Sequence, residues 1–257
     1  MEMNATERSV RRVRHELKRR LLEVRQVERV TPNYVRVTLG GDDLAGYSSL
    51  AYDDHSKLFF PAAGVAAPVF PGEGEAIMRD YTPRRYDAER GELVFEFALH
   101  EGGPASDWAA QAKPGMFLGV GGPRGSFVVE GGFDWYLLIG DESGLPSIAR
   151  RLEELPKTAK AVVVVEVANG AEQQELTAPD DTKIYWIHRD AGTALLEGVL
   201  SQEFPPGEPY AFVACEGTVA KEIRRHLVED RKLDKKWVKA SGYWRRGAVA
   251  VHDHLDD

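Results

Sequence analysis

The stretch DWYLLIGDESGLPSIARRLEELPKTAKAVVVVEV (residues 134–167) decides the fold of the C-terminal half. DWYLLIG is an apolar strand that ends in glycine. The next segment places Ile148, Leu152 and Leu155 on one face of a helix, which Pro156 ends. KAVVVVEVAN (160–169) is almost continuously β-branched, as is typical of a strand buried on both faces. Strand, helix and strand in this order predict a parallel sheet with crossover helices.

The rest of the chain falls into two patterns. Downstream, KIYWIHR (183–189), YAFVACE (210–216) and KKWVKASGYW (235–244) are strand-like, and TVAKEIRRHLVED (218–230) is helical. Upstream, short alternating strands such as LLEVRQVERV (21–30) are separated by glycine and proline, which favours an antiparallel barrel. The sequence therefore predicts a basic lead-in over residues 1–20, an N-terminal antiparallel β-barrel over 21–132 and a C-terminal α/β domain with a parallel sheet over 133–257.

Composition excludes several function classes. The 257 residues are 43% hydrophobic and 29% charged, which is ordinary for a globular protein. A net charge of -8 disfavours a general nucleic-acid binder. The single cysteine, Cys215, indicates a reducing compartment, so we expect a cytoplasmic protein. No run approaches the ~20 apolar residues of a membrane helix, and the N-terminus lacks a signal-peptide core, so no membrane insertion is expected.

Both termini carry charged clusters. The N-terminal cations indicate a solvated helix or frayed lead-in, or alternatively a contact with an anionic surface or partner. They are Arg8, Arg11, Arg12, Arg14, Lys18, Arg19 and Arg20. In the tail VHDHLDD, His252 and His254 have the alternation that shares a metal in a strand, but an acidic tail is the commoner explanation. We predict no metal site.

RDYTPRR (79–85) has the chemistry of a flavin clamp. Arginine forks onto phosphate, and in a strand Arg79 and Tyr81 share one face. Pro83 then breaks the strand and turns the Thr82 hydroxyl. An arginine for a diphosphate, an aromatic ring for a flat ring system and a hydroxyl for a ring nitrogen suit a flavin. The alternative is a surface strand with solvated arginines and a half-buried tyrosine.

Two loops add candidate anion sites. In HEGGPASDWAAQAKPG (100–115), Ser106 is predicted to cap a short helix whose first N–H groups would face the same diphosphate. Helix capping alone is the alternative explanation. GDESGLPSI (140–148) lies at a strand-to-helix turn, where α/β domains bind nucleotides, although it is not a GxGxxG fingerprint. Acidic residues favoured by the helix dipole would also explain it.

These motifs together resemble one family. HSKLFFP (55–61), RDYTPRR, GPASDWA (103–109), GDESGLPSIARRLEELP (140–156) and GYWRRG (242–247) occur in the order seen in the siderophore-interacting proteins. RQVERVTPNYVRVTLGGDDL (25–44) resembles the start of that family. Its members are FAD-binding ferric-siderophore reductases of the ferredoxin-reductase-like superfamily. The resemblance covers roughly residues 21–247 and implies a flavin-binding barrel followed by a nicotinamide-nucleotide-binding α/β domain.

The resemblance also implies roles for individual residues. Arg79 would hold the FAD diphosphate, Tyr81 would lie along the ring or ribityl chain, and Thr82 would tune the flavin near N5. The second flavin contact corresponds to His100, Gly103, Ala105, Ser106 and Trp108. The side that binds NADH or NADPH corresponds to Gly140, Asp141, Glu142 and Ser143. Tyr243 and Trp244 match the C-terminal motif beside the flavin. Cys215 replaces a glycine of this branch, and we interpret it as a small buried filler.

The expected activity is ferric-siderophore reduction: electrons pass from NAD(P)H, or from a ferredoxin-type carrier, through FAD to siderophore-bound Fe(III), which leaves as Fe(II). A basic pocket is expected to attract the anionic ferric siderophore, with Lys57, Lys239, Arg245 and Arg246 as candidates. VANGAEQQEL (167–176) contains no cation for a ribose 2′-phosphate, and Arg189 is a distant candidate, which leans toward NADH. We expect a monomer. The alternatives are a general flavin, quinone or ferredoxin-coupled reductase, and a non-enzymatic siderophore-binding accessory protein.

Overall fold

The computed structural model describes residues 8–62, 64–247 and 253–254, and it divides the chain into two compact units. One unit is Ser9–Glu130. The other contains Arg8 and the described residues from Gly131 onward. His252, half of the histidine pair considered for a metal, lies outside the described residues. No helix within the described residues is long and apolar enough to cross a membrane.

The first unit is a curled antiparallel sheet. Its sheet strands are β2 (Arg19–Thr31), β3 (Tyr34–Gly40), β4 (Ser56–Phe60), β5 (Ile77–Tyr81), β6 (Arg85–Asp87), β7 (Glu92–Ala98) and β8 (Phe117–Gly121). They pair in the order β5-β4-β8-β2-β3-β7-β6. Helix α1 (Pro104–Gln111) joins β7 to β8. Since β5 and β6 are consecutive in the chain but stand at opposite edges, the sheet bends round as a half-barrel, which confirms the predicted antiparallel fold class.

Period-two alternation builds the core of this half-barrel. On β2 the alternate residues Leu22 and Val24 are fully buried, while Leu21 and Arg25 face outward. Phe95 and Phe97 on β7 also belong to this core, although the residues between and beside them, Glu96 and Val94, are buried as well. Complete burial of one such side chain stabilises the fold by about 1.5–3 kcal/mol. The sheet is therefore a rigid frame for the side chains at its edges.

The basic N-terminal run differs from its prediction. Residues expected to be a helix or frayed lead-in form strand β1 (Ser9–Arg14), which pairs antiparallel with β9 (Gly125–Glu130). Cross-strand partners explain the difference, because Arg11 pairs with Glu130 at 3.0 Å and the Arg12 guanidinium lies 4.7 Å from the Phe127 ring centroid. Helix-forming patterns in a sequence cannot account for partners more than a hundred residues away.

The second unit is an α/β sheet. Its strands are β10 (Trp135–Gly140), β11 (Lys160–Val167), β12 (Asp181–His188), β13 (Pro209–Glu216), β14 (Val238–Trp244) and β15 (Asp253–His254), and its helices are α2 (Leu145–Glu154), α3 (Leu195–Leu200) and α4 (Gly217–Arg225). The order is β12-β11-β10-β13-β14-β15, parallel as far as β14, with β15 antiparallel at the edge. The predicted parallel sheet is confirmed.

Strand order locates the ligand-binding edge of this sheet. The chain runs outward from β10 to β12 and then returns to the other side of β10 with β13. Open α/β sheets bind their ligands at such a reversal, beyond the carboxyl ends of the strands. The turn after β10, the start of α4 after β13 and the residues after β14 all meet at this edge.

Candidate cofactor-binding sites

Strand β5 carries the arginine and the tyrosine of RDYTPRR on one face. Arg79 lies opposite the buried Leu58, and Tyr81 lies opposite the buried Ser56, so both side chains share the face of the sheet that covers the core. Asp80 points to the other face, where its carboxylate accepts a hydrogen bond from Lys57 Nζ at 2.9 Å. The alternation expected from the sequence is thus present in the strand.

The three arginines of this motif have different partners. Arg84 Nε lies 3.6 Å from the buried carboxylate of Glu96. Arg85 is exposed and lies 3.9 Å from Glu92. Arg79 has no carboxylate partner among the described residues, and its guanidinium donates to the backbone oxygen of the adjacent Met78 at 2.7 Å. Arg79 is therefore the arginine of the motif whose charge remains available to a phosphate.

An aromatic cluster lies beside Arg79. The Tyr81 ring centroid is 4.6 Å from that of Phe97 and 6.3 Å from that of Phe60, and Trp108 lies 5.7 Å from both phenylalanines. Burial raises the pKa of Tyr81, so its hydroxyl stays protonated. Trp108 Nε1 is buried without a hydrogen-bond partner among the described residues, and Thr82 is buried. An unpaired buried N–H donor is rare in proteins and suits a ligand acceptor.

The prediction that Ser106 caps helix α1 is wrong. The helix begins at Pro104 with Gly103 as its N-cap, so Ser106 lies inside the first turn. Ser106 Oγ accepts from His100 N at 2.9 Å and donates to His100 O at 2.8 Å, which closes the loop instead of capping the helix. Gly103 has φ +154°, and a Cβ there would lie 3.1 Å from His100 Cε1.

These features leave donors at the start of α1. No side chain among the described residues caps the helix, so we expect the backbone N–H groups of Ala105 and Ser106 to be available to an anion. A cavity of about 370 Å³ adjoins this turn, and it is lined by Asn33, Leu99, His100, Glu101, Ser106, Asp107 and Ala110. An unpaired arginine, free helix N–H groups and an orphan indole N–H beside aromatic rings fit a dinucleotide that carries a diphosphate and a flat ring.

The turn after β10 joins two of the motifs in the second unit. The buried Asp141 carboxylate accepts from Ser143 N at 2.9 Å and Ser143 Oγ at 2.5 Å. It also accepts from Trp244 Nε1 at 2.8 Å and from Glu216 N at 3.1 Å. Burial raises the pKa of Asp141, while the hydrogen bonds from Ser143 and Trp244 oppose that rise. Asp141 thus ties together the carboxyl ends of β10, β13 and β14.

Close packing fixes this edge. Gly140 and Gly144 both approach the neighbouring strand, and a Cβ on Gly144 would lie only 2.1 Å from Ala214 O. Tyr243 is held to helix α2 through a 2.7 Å hydrogen bond between its hydroxyl and Ser147 Oγ. Cys215 is buried beside these residues, and burial raises its pKa, so its thiol stays protonated, in keeping with a filler.

A charged cluster at the same edge was not predicted as a group. Arg189 donates through both terminal nitrogens to Glu142, with one of the bonds at 2.9 Å, and it contacts Glu166 at 2.9 Å. The hydrogen bonds with Glu142 hold the pKa of Arg189 above its ordinary value. Spacing alone did not predict this cluster, because its members lie at the carboxyl ends of three different strands.

Of the four cations proposed for the siderophore pocket, Lys57 lies in the first unit and the other three lie in the second. Lys57 is paired with Asp80. Lys239 lies near the amino end of β14, whereas Arg245 and Arg246 follow its carboxyl end, a separation of ~20 Å along an extended strand. Arg246 donates its backbone N–H to Glu216 at 3.3 Å, which places it beside the Asp141 network. The roles of all four remain predictions.

Comparison with known proteins gives consistent matches over both units. The "Siderophore-interacting FAD-binding domain" family matches residues 23–127, and "Siderophore-interacting protein" matches 133–247. The chain is 39% identical to the "NADPH-dependent ferric-chelate reductase" of Escherichia coli K12, over 94% of this chain and 99% of that protein. It is 33% identical to "Ferric vibriobactin reductase ViuB" of Vibrio cholerae serotype O1, covering 89% and 90%. A siderophore utilization protein from T. fusca superposes with a TM-score of 0.87 at 42% identity, covering 96% and 99%.

Proposed function

The chain belongs to the siderophore-interacting protein family, and we propose that this oxidoreductase is an FAD-dependent ferric-siderophore reductase. Its substrate is Fe(III) held by a siderophore, and its product is Fe(II), which siderophores hold less tightly. Electrons come from NAD(P)H. Bound FAD supplies the chemistry that joins a two-electron nicotinamide donor to a one-electron iron acceptor.

The ion-pair partners of the three arginines in RDYTPRR support this proposal. Arg84 and Arg85 are matched by carboxylates, whereas Arg79 is not, and Arg79 lies on the same strand face as Tyr81. We assign Arg79 and the N–H groups at the start of α1 to the diphosphate of FAD. The partly exposed Tyr81 ring, which packs against the buried Phe97 beside Trp108, gives the flat ring system an apolar wall, with Trp108 Nε1 as a donor.

Thr82 is assigned to tuning near N5 and not to proton transfer. Electron transfer to iron needs no side-chain acid or base, so the protein contributes binding, orientation and exclusion of water. Tyr81 fits a binding role without proton transfer, since burial keeps its phenol neutral.

The nucleotide donor is assigned to the second unit. The order reversal between β10 and β13 gives an edge of the kind where dinucleotides bind, and the Asp141 network orders that edge. A close relative is named as NADPH-dependent, which supports a nicotinamide donor as opposed to a ferredoxin-type carrier.

The test is an anaerobic visible spectrum of the purified protein. We expect flavin bands near ~450 nm that bleach with NADH or NADPH and return on addition of a ferric siderophore. Bands that ignore both nicotinamides but bleach with reduced ferredoxin would replace the donor. A colourless protein that takes up no added FAD would overturn the reductase proposal in favour of a siderophore-binding accessory protein.

A further inference from the structure

Strands β1 and β9 form a two-stranded ribbon whose outer face is both basic and apolar. Side chains alternate across a strand, so Val10, Arg12 and Arg14 share one face of β1. Val10 is 44% exposed, and both arginines are exposed. On the same face, the Arg12 guanidinium lies over the ring of its cross-strand partner Phe127. The other face is directed inward, because Ser126 on that face is buried.

The short connector between β1 and β2 continues this face. Its Leu17 is 65% exposed, the largest value among the exposed large hydrophobic side chains of the described residues. Lys18 follows it and is exposed as well. His15 N donates to Arg124 O at 3.0 Å, which brings the exposed Arg124 to the same connector. Leu17 therefore lies among cations that come from two segments of the chain.

A buried hydrogen-bond network holds the connector in place. Ser126 Oγ donates to the buried Asp54 carboxylate at 2.6 Å and lies 2.7 Å from His15 Nε2. It also accepts from Leu50 N at 3.1 Å, and the Leu50 side chain is 49% exposed. Ser126 thus fixes both the connector that carries Leu17 and the loop that carries Leu50. The surface is ordered before any partner binds, which lowers the entropy cost of binding.

Most cations of this surface are not neutralised by carboxylates. Arg11 is matched by Glu130, and Glu16 is the acidic residue of the connector. The other cations pair with no carboxylate in the part of the chain that the structure describes: Arg12, Arg14, Lys18, Arg19 and Arg124. Five cations against the one carboxylate of Glu16 leave an excess of four positive charges. We call these six residues, together with Val10, Leu17 and Leu50, the ribbon surface.

We propose that the ribbon surface docks the protein on the face of a membrane that contains anionic lipids. Each lysine or arginine close to such a membrane strengthens binding by about fivefold. The exposed leucines enter the boundary between headgroups and acyl chains, while the stems of the cations lie along it and keep their charges in water. The inference goes beyond the proposed function and does not depend on it.

The apolar members of the ribbon surface favour a bilayer over a soluble polyanion. Proteins that bind single-stranded nucleic acid stack the bases on exposed aromatic rings. Among the exposed large hydrophobic side chains of the described residues, the one aromatic is Trp244, which belongs to the other unit. Phe127 of the ribbon is covered by the Arg12 guanidinium. A purely ionic contact would also leave Leu17 in water, whereas a bilayer buries it.

The test is co-sedimentation of the purified full chain with vesicles of phosphatidylcholine that contain roughly one third phosphatidylglycerol. We expect binding at low ionic strength, no binding to pure phosphatidylcholine, and release above ~0.15 M salt, where the screening length falls to ~8 Å. Arg14→Glu/Lys18→Glu reverses two charges and should weaken binding at least about tenfold. Leu17→Gln should weaken it about fivefold and leave retention on heparin, a soluble polyanion, unchanged.

Arg90→Glu/Lys113→Glu is the matched control, because it changes the net charge by the same amount. Both residues are exposed in the same unit and lie outside the ribbon surface, Arg90 between β6 and β7 and Lys113 between α1 and β8. Its affinity for the anionic vesicles should stay within about twofold of the wild-type value, since salt screens distant charges. Thermal unfolding midpoints check that every variant folds.

Three results would overturn the inference. The first is a wild-type protein that does not bind the anionic vesicles at low ionic strength. The second is an equal loss of binding in Arg14→Glu/Lys18→Glu and in the control, which would mean that net charge alone attracts the protein. The third is vesicle binding unchanged by Leu17→Gln, which would assign the cations to a soluble polyanion or an acidic protein. None of these results affects the proposed function, which the flavin spectrum tests separately.

Discussion

Glu96 is almost fully buried on β7, and its carboxylate contacts Arg36 at 2.7 Å as well as Arg84 at 3.6 Å. A buried carboxylate needs such partners, because an uncompensated charge in the interior costs several kcal/mol. Arg84 therefore serves the fold. Arg79 lies in the same motif, but it pairs with no carboxylate among the described residues. The partner, and not the residue type, separates a structural arginine from a binding arginine.

Arg79→Gln should raise the Kd for FAD about 10- to 100-fold, since a hydrogen bond to a charged group contributes about 1.5–3 kcal/mol. Titration of the apoprotein with FAD, followed by flavin fluorescence, gives the constant. Arg85→Gln is the control, because Arg85 is exposed and its contact with Glu92 is long. Equal affinities for the two variants would contradict the assignment of Arg79.

Helix α1 shows which features of a secondary-structure element sequence patterns do not predict. A short helix was predicted in this loop, and the structure has it at Pro104–Gln111. The role of Ser106 was not, because its hydroxyl bonds to His100, which lies outside the helix. Capping rules consider only neighbouring backbone groups. A loop that folds back on the helix provides partners that those rules omit.

Ser106→Ala should therefore destabilise the loop in front of α1. Both backbone groups of His100 would lose their buried partner, which costs about 1–3 kcal/mol for an unsatisfied group. Urea unfolding measures the loss. Ser201→Ala serves for comparison, since Ser201 donates to Gly198 at the more exposed end of α3, and we expect less than about 0.5 kcal/mol there. A Ser106→Ala variant as stable as Ser201→Ala would refute this account.

The turn between β10 and α2 packs closely against β13. A methyl group on Gly144 would lie 2.1 Å from Ala214 O, so Gly144→Ala must push the turn away from β13. We expect a loss of about 3 kcal/mol, as for severe overpacking. Gly132→Ala is the control, because nothing lies within 4 Å of a Cβ at that position. Thermal unfolding of the two variants decides the matter, and similar midpoints would show that the turn has room.

Across the whole chain, the change from alternating short strands to apolar strands and helices predicted both fold classes. Such patterns could not predict the order of the strands in the sheet, because the reversal between β10 and β13 depends on which edge each strand joins. Sequence patterns did not predict the ion pairs either. Lys57 and Asp80 are 23 positions apart, and Arg189 and Glu142 are 47 apart. The sequence motifs predicted the candidate cofactor-binding residues. Which charged residues form ion pairs could be seen only in the structure.

The chain carries a net charge of -8. A protein of that charge repels an anionic ferric chelate at long range, so productive encounter requires local cations, for which Lys57 and Arg245 are our candidates. If they dominate, kcat/KM for an anionic ferric siderophore should fall about tenfold as ionic strength rises from ~0.01 to ~0.15 M, because the screening length shrinks from ~30 to ~8 Å. The double variant Lys57→Glu/Arg245→Glu should lower kcat/KM at low salt and reverse the slope. An uncharged ferric chelate should show no slope with either protein. A wild-type rate that rises with salt would mean that the overall negative charge dominates, and it would remove these two cations from the substrate site.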